Sequence, residues 1–303
     1  MGHENQQLDI YRINTKDRID KKRVLIIVLI ILSIICISLA IFFVSRTVSR
    51  YKEYKIYEEQ LKNLQQEEAQ EQVRIDREKQ AKLPKLTDEG RQNIEKIYKS
   101  DTKRAFLTFD DGPSGITARL LDVLNQEKVK ATFFVLGSNV EKRPDLVKRM
   151  YDEGHYVANH GYSHKYSEIY SSKEAVLDEY NRCNDAVKQA IGVPEYNSHL
   201  FRFPGGLAGG KYADIKAQAN ELLSQNDIMH VDWNALTGDS ETNDLSIDFE
   251  LKRLNETIQN KNSIVILMHD SPNKSVTVDA LPQIIETLRN NGYEFKNFYE
   301  IIK

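Results

Sequence analysis

The stretch R-A-F-L-T-F-D-D-G-P, Arg104 to Pro113, decides how the chain is read. Ala105, Phe106, Leu107 and Phe109 make an apolar run of strand length. It ends in two adjacent carboxylates, Asp110 and Asp111, and then in a Gly-Pro pair that cannot continue a strand. This is a strand tip carrying paired acids. Alone, such a tip is ordinarily no more than an acidic turn. Its weight comes from later strand-like runs, which also end in ionisable or polar residues.

Downstream of it, strand-like runs at 104–109, 131–136, 155–158, 199–202, 228–231, 264–268 and 293–297 alternate with helical patterns. The helical patterns lie near 116–126, 139–153, 172–190, 211–224, 246–260 and 278–290. Alternation of this kind predicts a parallel sheet with helices outside it. The number and spacing of the runs favour an α/β fold of the closed or nearly closed type, a distorted (β/α) barrel of about seven strands, over an open doubly wound sheet. No G-x-G-x-x-G follows the first strand, which argues against a dinucleotide fold.

Upstream the chain is different in kind. Residues 1–23 are polar and end in Lys21-Lys22-Arg23. Residues 24–44 are then apolar except for Ser33, Cys36 and Ser38, and a run of about 20 such residues is what a helix needs to cross a bilayer. A cleaved signal peptide has a shorter apolar core and a small-residue cleavage site, whereas Ser45-Arg46 follows here. The expectation is a single uncleaved transmembrane helix with residues 1–23 in the cytoplasm, on the basis of the Lys21-Lys22-Arg23 cluster, and with the rest of the chain outside the cell membrane. Residues 45–83 are rich in Glu, Gln, Lys and Arg without Gly or Pro, and Pro84 stops them. They read as a solvated helical stalk, part of a 45–100 linker, that would reach roughly 50–60 Å. Tyr54, Tyr57, Leu61 and Leu64 keep heptad spacing, which fails at Glu68 and Glu71, so the stalk offers only a weak dimerising seam. A short helix over Thr87 to Tyr98, capped by Thr87 or Asp88, leads into a globular domain at 101–303.

Composition limits the partners. With 303 residues and a net charge of −3 the chain is not a basic nucleic-acid binder. Two cysteines, Cys36 and Cys183, make no disulfide or thiolate framework.

The strand ends carry the chemistry. After Asp110-Asp111 come Asn159-His160-Gly161-Tyr162-Ser163-His164, Arg202-Phe203-Pro204-Gly205-Gly206, Asp232-Trp233 and His269-Asp270. In a β/α barrel these ends share one face. His160 and His164 are four apart, a spacing that on a helical turn puts both imidazoles on one side to bind one ion. One carboxylate from the first tip would complete a His₂Asp set with an open position, and the other would be free as a base. Arg202 is placed to hold that base ionised, and His269 to act as an acid from the opposite side. His3, His155, His199 and His230 have no role in this scheme.

The ordered blocks T-F-D-D-G-P (108–113), H-G-Y-S-H (160–164), R-F-P-G-G (202–206) and L-M-H (267–269) resemble the motifs of the polysaccharide deacetylases, carbohydrate esterase family 4. The resemblance covers about 101–303 and implies the family's distorted barrel. It implies Asp110 as general base, Asp111, His160 and His164 as ligands of a divalent ion, Arg202 as the residue positioning the base, and His269 as general acid. The ion it implies is zinc, with cobalt, manganese or nickel as alternatives. The implied substrate is an N-acetylated glycan outside the membrane, peptidoglycan above all. A backbone N–H near Gly205 would meet the developing oxyanion, and Trp233, Tyr162 and Tyr166 are aromatics that can stack on sugar rings.

Two departures stand out. Gly161 replaces the Ser or Thr that usually follows the first metal histidine, which removes a side-chain hydrogen bond. The fourth motif reads V-D-W-N-A-L-T-G-D-S (231–240), so that either Asp232 or Asp239 is a candidate for tuning His269, and Leu236 can occupy the usual acid's place. These departures leave open a catalytically silent, membrane-anchored glycan-binding or envelope scaffold. An amidase acting on a peptide bond would use the same chemistry.

Overall fold

The structure, a computed structural model, describes residues 4–81 and 83–302, with side chains from residue 21 onward apart from those of 76–81. Residues 1–3 of the expected cytoplasmic segment, His3 among them, lie outside the described residues, as do Lys82 and Lys303. The chain divides into two units, Met1–Asp76 and Arg77–Lys303.

The first unit is built on one helix, α1 (Glu4–Ala81), which runs through the polar start, the apolar stretch and the stalk. It is long and apolar enough to cross a bilayer. The hydroxyls within and beside the apolar stretch are satisfied inside the helix: Ser33 donates to the Ile30 carbonyl and Ser38 to that of Ile34, both at 2.8 Å. Tyr54, Tyr57, Leu61 and Leu64 are exposed along the stalk.

Among the described residues of the second unit, eight parallel strands form one curled sheet. They are β1 (Arg104–Asp110), β2 (Thr132–Val135), β3 (Tyr156–Asn159), β4 (Leu200–Phe201), β5 (Met229–His230), β6 (Ala235–Leu236), β7 (Ser263–His269) and β8 (Glu294–Phe295). The hydrogen-bonded order is β5-β4-β3-β2-β1-β7-β6, and β8 pairs with the start of β1. The curl is therefore a barrel left open between β5 and β6. The helices are α2 (Asp88–Glu95), α3 (Thr117–Gln126), α4 (Gly137–Val140), α5 (Pro144–Asp152), α6 (Tyr166–Ile169), α7 (Lys173–Ile191), α8 (Ala213–Gln225), α9 (Ile247–Thr257) and α10 (Ser275–Asn290).

β1 is buried along nearly its whole length because both of its faces are covered, as in other parallel sheets. Its alternation sorts two cores. Ala105, Leu107 and Phe109 pack with Leu120, Leu124, Leu281 and Ile285 of the outer helices. Phe106 points the other way, into a cluster with Phe134, Tyr156, Val231 and Val265. By the same period of two, Asp110 falls on the inner face.

Several expected boundaries change. The helix expected over 139–153 is two helices, α4 and α5, with Pro144 at the first position of the second. The strand expected over 228–231 is only Met229–His230, and β6, absent from the sequence pattern, supplies the other edge. The helix assigned to the linker, α2, belongs to the globular unit. Thr87 caps it by accepting from the Gly90 N–H, and Ile94 and Ile97 pack against Phe298, Ile301 and Ile302. Gly90 is required there, since a Cβ would run into the Ile302 carbonyl.

Candidate active site and metal centre

Sheet register brings the first two acid–base candidates together. Asp110 lies directly beside His269 across β1 and β7, and Asn159 beside Phe201 across β3 and β4. His160 and Arg202, each one residue beyond, consequently emerge side by side. The His160 Nδ1–H donates to the Arg202 carbonyl at 2.7 Å, which turns Nε2 toward the strand tip.

Arg202 is fully buried. Its guanidinium donates to Asp110 Oδ1 and to the Thr108 hydroxyl, both at 2.8 Å, and to the carbonyls of Val231 and Asp232, both at 3.0 Å. It also lies 4.0 Å from the Phe134 ring centroid. It thus holds Asp110 and links β1 to the chain leaving β5.

Asp111 is turned away from its neighbour by a left-handed backbone, φ 73°. Its Oδ1 lies 3.7 Å from His160 Nε2 and 3.5 Å from His164 Nε2, and the three ligand atoms of Asp111, His160 and His164 lie within 4.8 Å of one another. Ser271 donates to Asp111 Oδ2, whereas Oδ1 is buried without a hydrogen-bond partner. A buried carboxylate oxygen without a hydrogen-bond partner, set between two imidazole nitrogens, is an arrangement that could hold a divalent ion. The residues fit the group. Burial pushes the Asp111 carboxyl up, but His160, His269, His164 and the Ser271 hydrogen bond together hold it below the usual range. Burial also lowers the His160 pKa, against the pull of Asp110 and Asp111, and so favours the neutral imidazole that can ligate.

The His160–His164 pair does not sit on a helical turn. Residues 160–165 form an irregular loop, with left-handed φ at Gly161 (86°) and His164 (59°). Two such positions fold the loop back so that the imidazoles converge, with ring centroids 5.3 Å apart. Glu179, buried on α7, holds the loop by accepting from the N–H groups of Tyr162 and Ser163 at 2.6 and 2.7 Å. Asn159 accepts from the Gly161 N–H at 2.9 Å. Sequence reasoning missed Glu179. The signal available was an acid on the buried face of α7, next to Tyr180 and Cys183.

On the far side of the carboxylates, Asp239 pairs with His269, and Asp232 does not. Asp239 accepts at Oδ1 from the ring Nδ1 at 2.8 Å and at Oδ2 from the His269 backbone N–H at 2.7 Å. Burial works against a charged His269, yet the Asp239 bond and charge, backed by Asp110 and Asp111, raise its pKa to about 9. Asp232 instead accepts from the Leu207 N–H at 3.0 Å and so braces the Gly205-Gly206 loop. Asp270 supports the turn after Asp111. Ser114 and Thr117 donate to it, and a Cβ at Gly112 would collide with its carboxyl, which burial pushes up to about 7.

The aromatic candidates separate. Trp233 is partly buried and packs under Gly206. Tyr162 faces away from the carboxylates: Arg182 lies over its ring at 3.9 Å, and its hydroxyl donates to Glu141. Tyr166 stands beside His164, with centroids 5.6 Å apart. Leu236, on edge strand β6, has its N–H bonded to Thr257 and adds no acid.

The polysaccharide deacetylase sequence family matches residues 97–222. A peptidoglycan-N-acetylglucosamine deacetylase of Bacillus cereus is 35% identical over 203 residues, 66% of this chain and 71% of that protein. Among solved structures, a CE4 esterase of Streptococcus mutans covers 70% of this chain and 92% of its own, with TM-score 0.63 and 30% identity. The catalytic domain of a peptidoglycan N-acetylglucosamine deacetylase from Eubacterium rectale covers 66% and 90%, with TM-score 0.60 and 33% identity.

Proposed function

The chain belongs to the polysaccharide deacetylase family, carbohydrate esterase family 4, and from that premise we propose that it is a divalent-metal-dependent hydrolase removing N-acetyl groups from the amino sugars of an extracytoplasmic glycan, peptidoglycan foremost. The carrying observation is the division of the acid pair. Asp110 is held by Arg202, Asp111 stands bare between His160 and His164, and a charged His269 lies in register beside Asp110.

In this mechanism Asp111, His160 and His164 would hold the ion, which when bound polarises the acetamide carbonyl and makes water more acidic. Two imidazoles and one carboxylate suit zinc, and also cobalt, nickel or manganese. Asp110, held in place by Arg202, takes a proton from the attacking water. The Gly205 N–H donates to the carbonyl oxygen as its negative charge grows. His269, protonated at neutral pH and held at Nδ1 by Asp239, gives its Nε2 proton to the departing nitrogen. Acetate and a free amino sugar result, with water consumed.

The features that favoured a silent scaffold lose their force. Gly161 lacks a hydroxyl, but Glu179 and Asn159 hold the same loop. The altered fourth motif still delivers Asp239 to His269. The apolar helix serves as a single-pass membrane anchor with its N-terminus cytoplasmic and the deacetylase unit outside, and the exposed Tyr54–Leu64 stripe gives a weak seam for self-association.

The test is acetate release by the purified full chain in detergent, loaded with zinc, cobalt, nickel or manganese, from N-acetylglucosamine oligomers and muropeptides. No release with any of the four ions would sink the proposal.

A further inference from the structure

The loop after Arg202 is tightly held on three sides. Tyr170 donates to the Pro204 carbonyl at 2.7 Å, Lys216 to the Gly206 carbonyl at 2.6 Å, and the Leu207 N–H to Asp232 at 3.0 Å. Gly205, at its apex, has φ 75°, and its N–H has no partner among the described residues. A Cβ added there would lie 2.6 Å from the Tyr166 hydroxyl oxygen. That hydroxyl thus occupies the space a side chain at 205 would take.

Tyr166 arrives from the other side of the site, two residues past His164. Its ring meets Tyr170 and Tyr212 at centroid distances of 5.6 and 6.4 Å, which fixes where the phenol points. The residue is nonetheless 39% exposed, and its hydroxyl has no hydrogen-bond partner among the described residues. A phenol in neutral solution keeps its proton and is an O–H donor. An unpaired phenol thus lies against Gly205, whose N–H is also unpaired, and its ring stands beside His164.

We propose that Tyr166 is a catalytic residue that donates an O–H···O hydrogen bond to the acetamide oxygen of the substrate, as a second donor next to the Gly205 N–H. The assignment rests on the deacetylase reading above. The oxygen gains negative charge as water adds to the carbonyl carbon, so both hydrogen bonds strengthen toward the transition state. The proton stays on the phenol throughout, and no bond to the tyrosine is made or broken. The missing side chain at Gly205 is what admits a donor from a neighbouring loop.

The test compares Tyr166→Phe and Tyr166→Ala with the zinc-loaded full chain in detergent, using acetate release from N-acetylglucosamine oligomers. Tyr166→Phe is expected to keep its zinc and its KM within about threefold, while kcat falls about 10²-fold. Tyr166→Ala should lose at least as much. Wild-type turnover in Tyr166→Phe, or a rise in KM alone, overturns the assignment in favour of a ring that merely contacts sugar. A second readout needs no turnover: acetate, which presents the same oxygen, should bind Tyr166→Phe about tenfold more weakly. Equal acetate affinity would also overturn it. If the wild type releases no acetate from any glycan yet shows this binding difference, the deacetylase reading fails and with it the catalytic role, while Tyr166 remains a hydrogen-bond donor to a bound carboxylate.

Discussion

His269 is gripped at two points by Asp239: the ring Nδ1 lies 2.8 Å from Oδ1, and the backbone N–H of the same residue donates to Oδ2 at 2.7 Å. The grip fixes both the tautomer and the direction of the imidazole, leaving Nε2 free. It is also the main reason that a histidine disfavoured as a cation by burial has its pKa raised to about 9. Asp239→Asn removes the charge and leaves the burial. The His269 pKa should fall, so the alkaline limb of the kcat/KM profile, where the acid loses its proton, should move to lower pH, with a loss of about 10²–10³-fold at pH 8. An alkaline limb that stays in place would exclude His269 as the acid.

The two adjacent carboxylates should fail differently. Asp111→Asn leaves a neutral, poorer oxygen ligand and should weaken metal binding, with added metal restoring some turnover. Asp110→Asn should keep the ion while turnover falls about 10²–10⁴-fold, the usual worth of a positioned base. Elemental analysis beside rate measurements decides it, and the reverse pattern would exchange the two roles.

Glu179 holds two successive N–H groups of the loop that carries both histidines. Glu179→Ala should lower zinc affinity about 10–100-fold in a chelator competition, and Glu179→Gln, which keeps an acceptor, by less. Equal affinity in all three proteins would mean that the loop needs no such brace.

Arg202 and Asp110 form a buried ion pair. Arg202→Met strands the carboxylate and should cost about 3–5 kcal/mol of stability in denaturant unfolding. Asp110→Asn in the Arg202→Met background should recover part of that loss, because the stranded charge is gone. Additive losses would show that the arginine acts through the Thr108 hydroxyl, the Val231 and Asp232 carbonyls and the Phe134 ring rather than through Asp110.

Residues 24–44 of the apolar helix are exposed, and the Ser33 and Ser38 hydroxyls among them are satisfied within the helix. The protein should stay in the membrane fraction through a carbonate wash, with residues 1–45 retained. Recovery of a soluble form starting near residue 40–50 would show cleavage.

Local pattern was enough for much of this protein. Period-two alternation and abrupt polar tips are written into contiguous residues, so the parallel α/β sheet, the acids after β1 and the apolar span were legible in the sequence. The order of four short motifs was enough to mark the family. What stayed illegible depends on where distant segments meet. Asp232 and Asp239 are equally acidic and only seven residues apart, and only the edge pairing of β6 with β7 carries Asp239 to His269 while Asp232 turns to Leu207. The four-residue spacing of His160 and His164 suggested a helical turn, but left-handed backbone at Gly161 and His164 and the distant Glu179 make a loop that brings the rings together by another route. The placement of α2 against Phe298 and Ile302, and of the Tyr166 hydroxyl in the space beside Gly205, likewise follows from tertiary closure. Side-chain direction beyond a strand end is set by single backbone torsions and by partners far away in the chain, and neither leaves a periodic trace in the sequence.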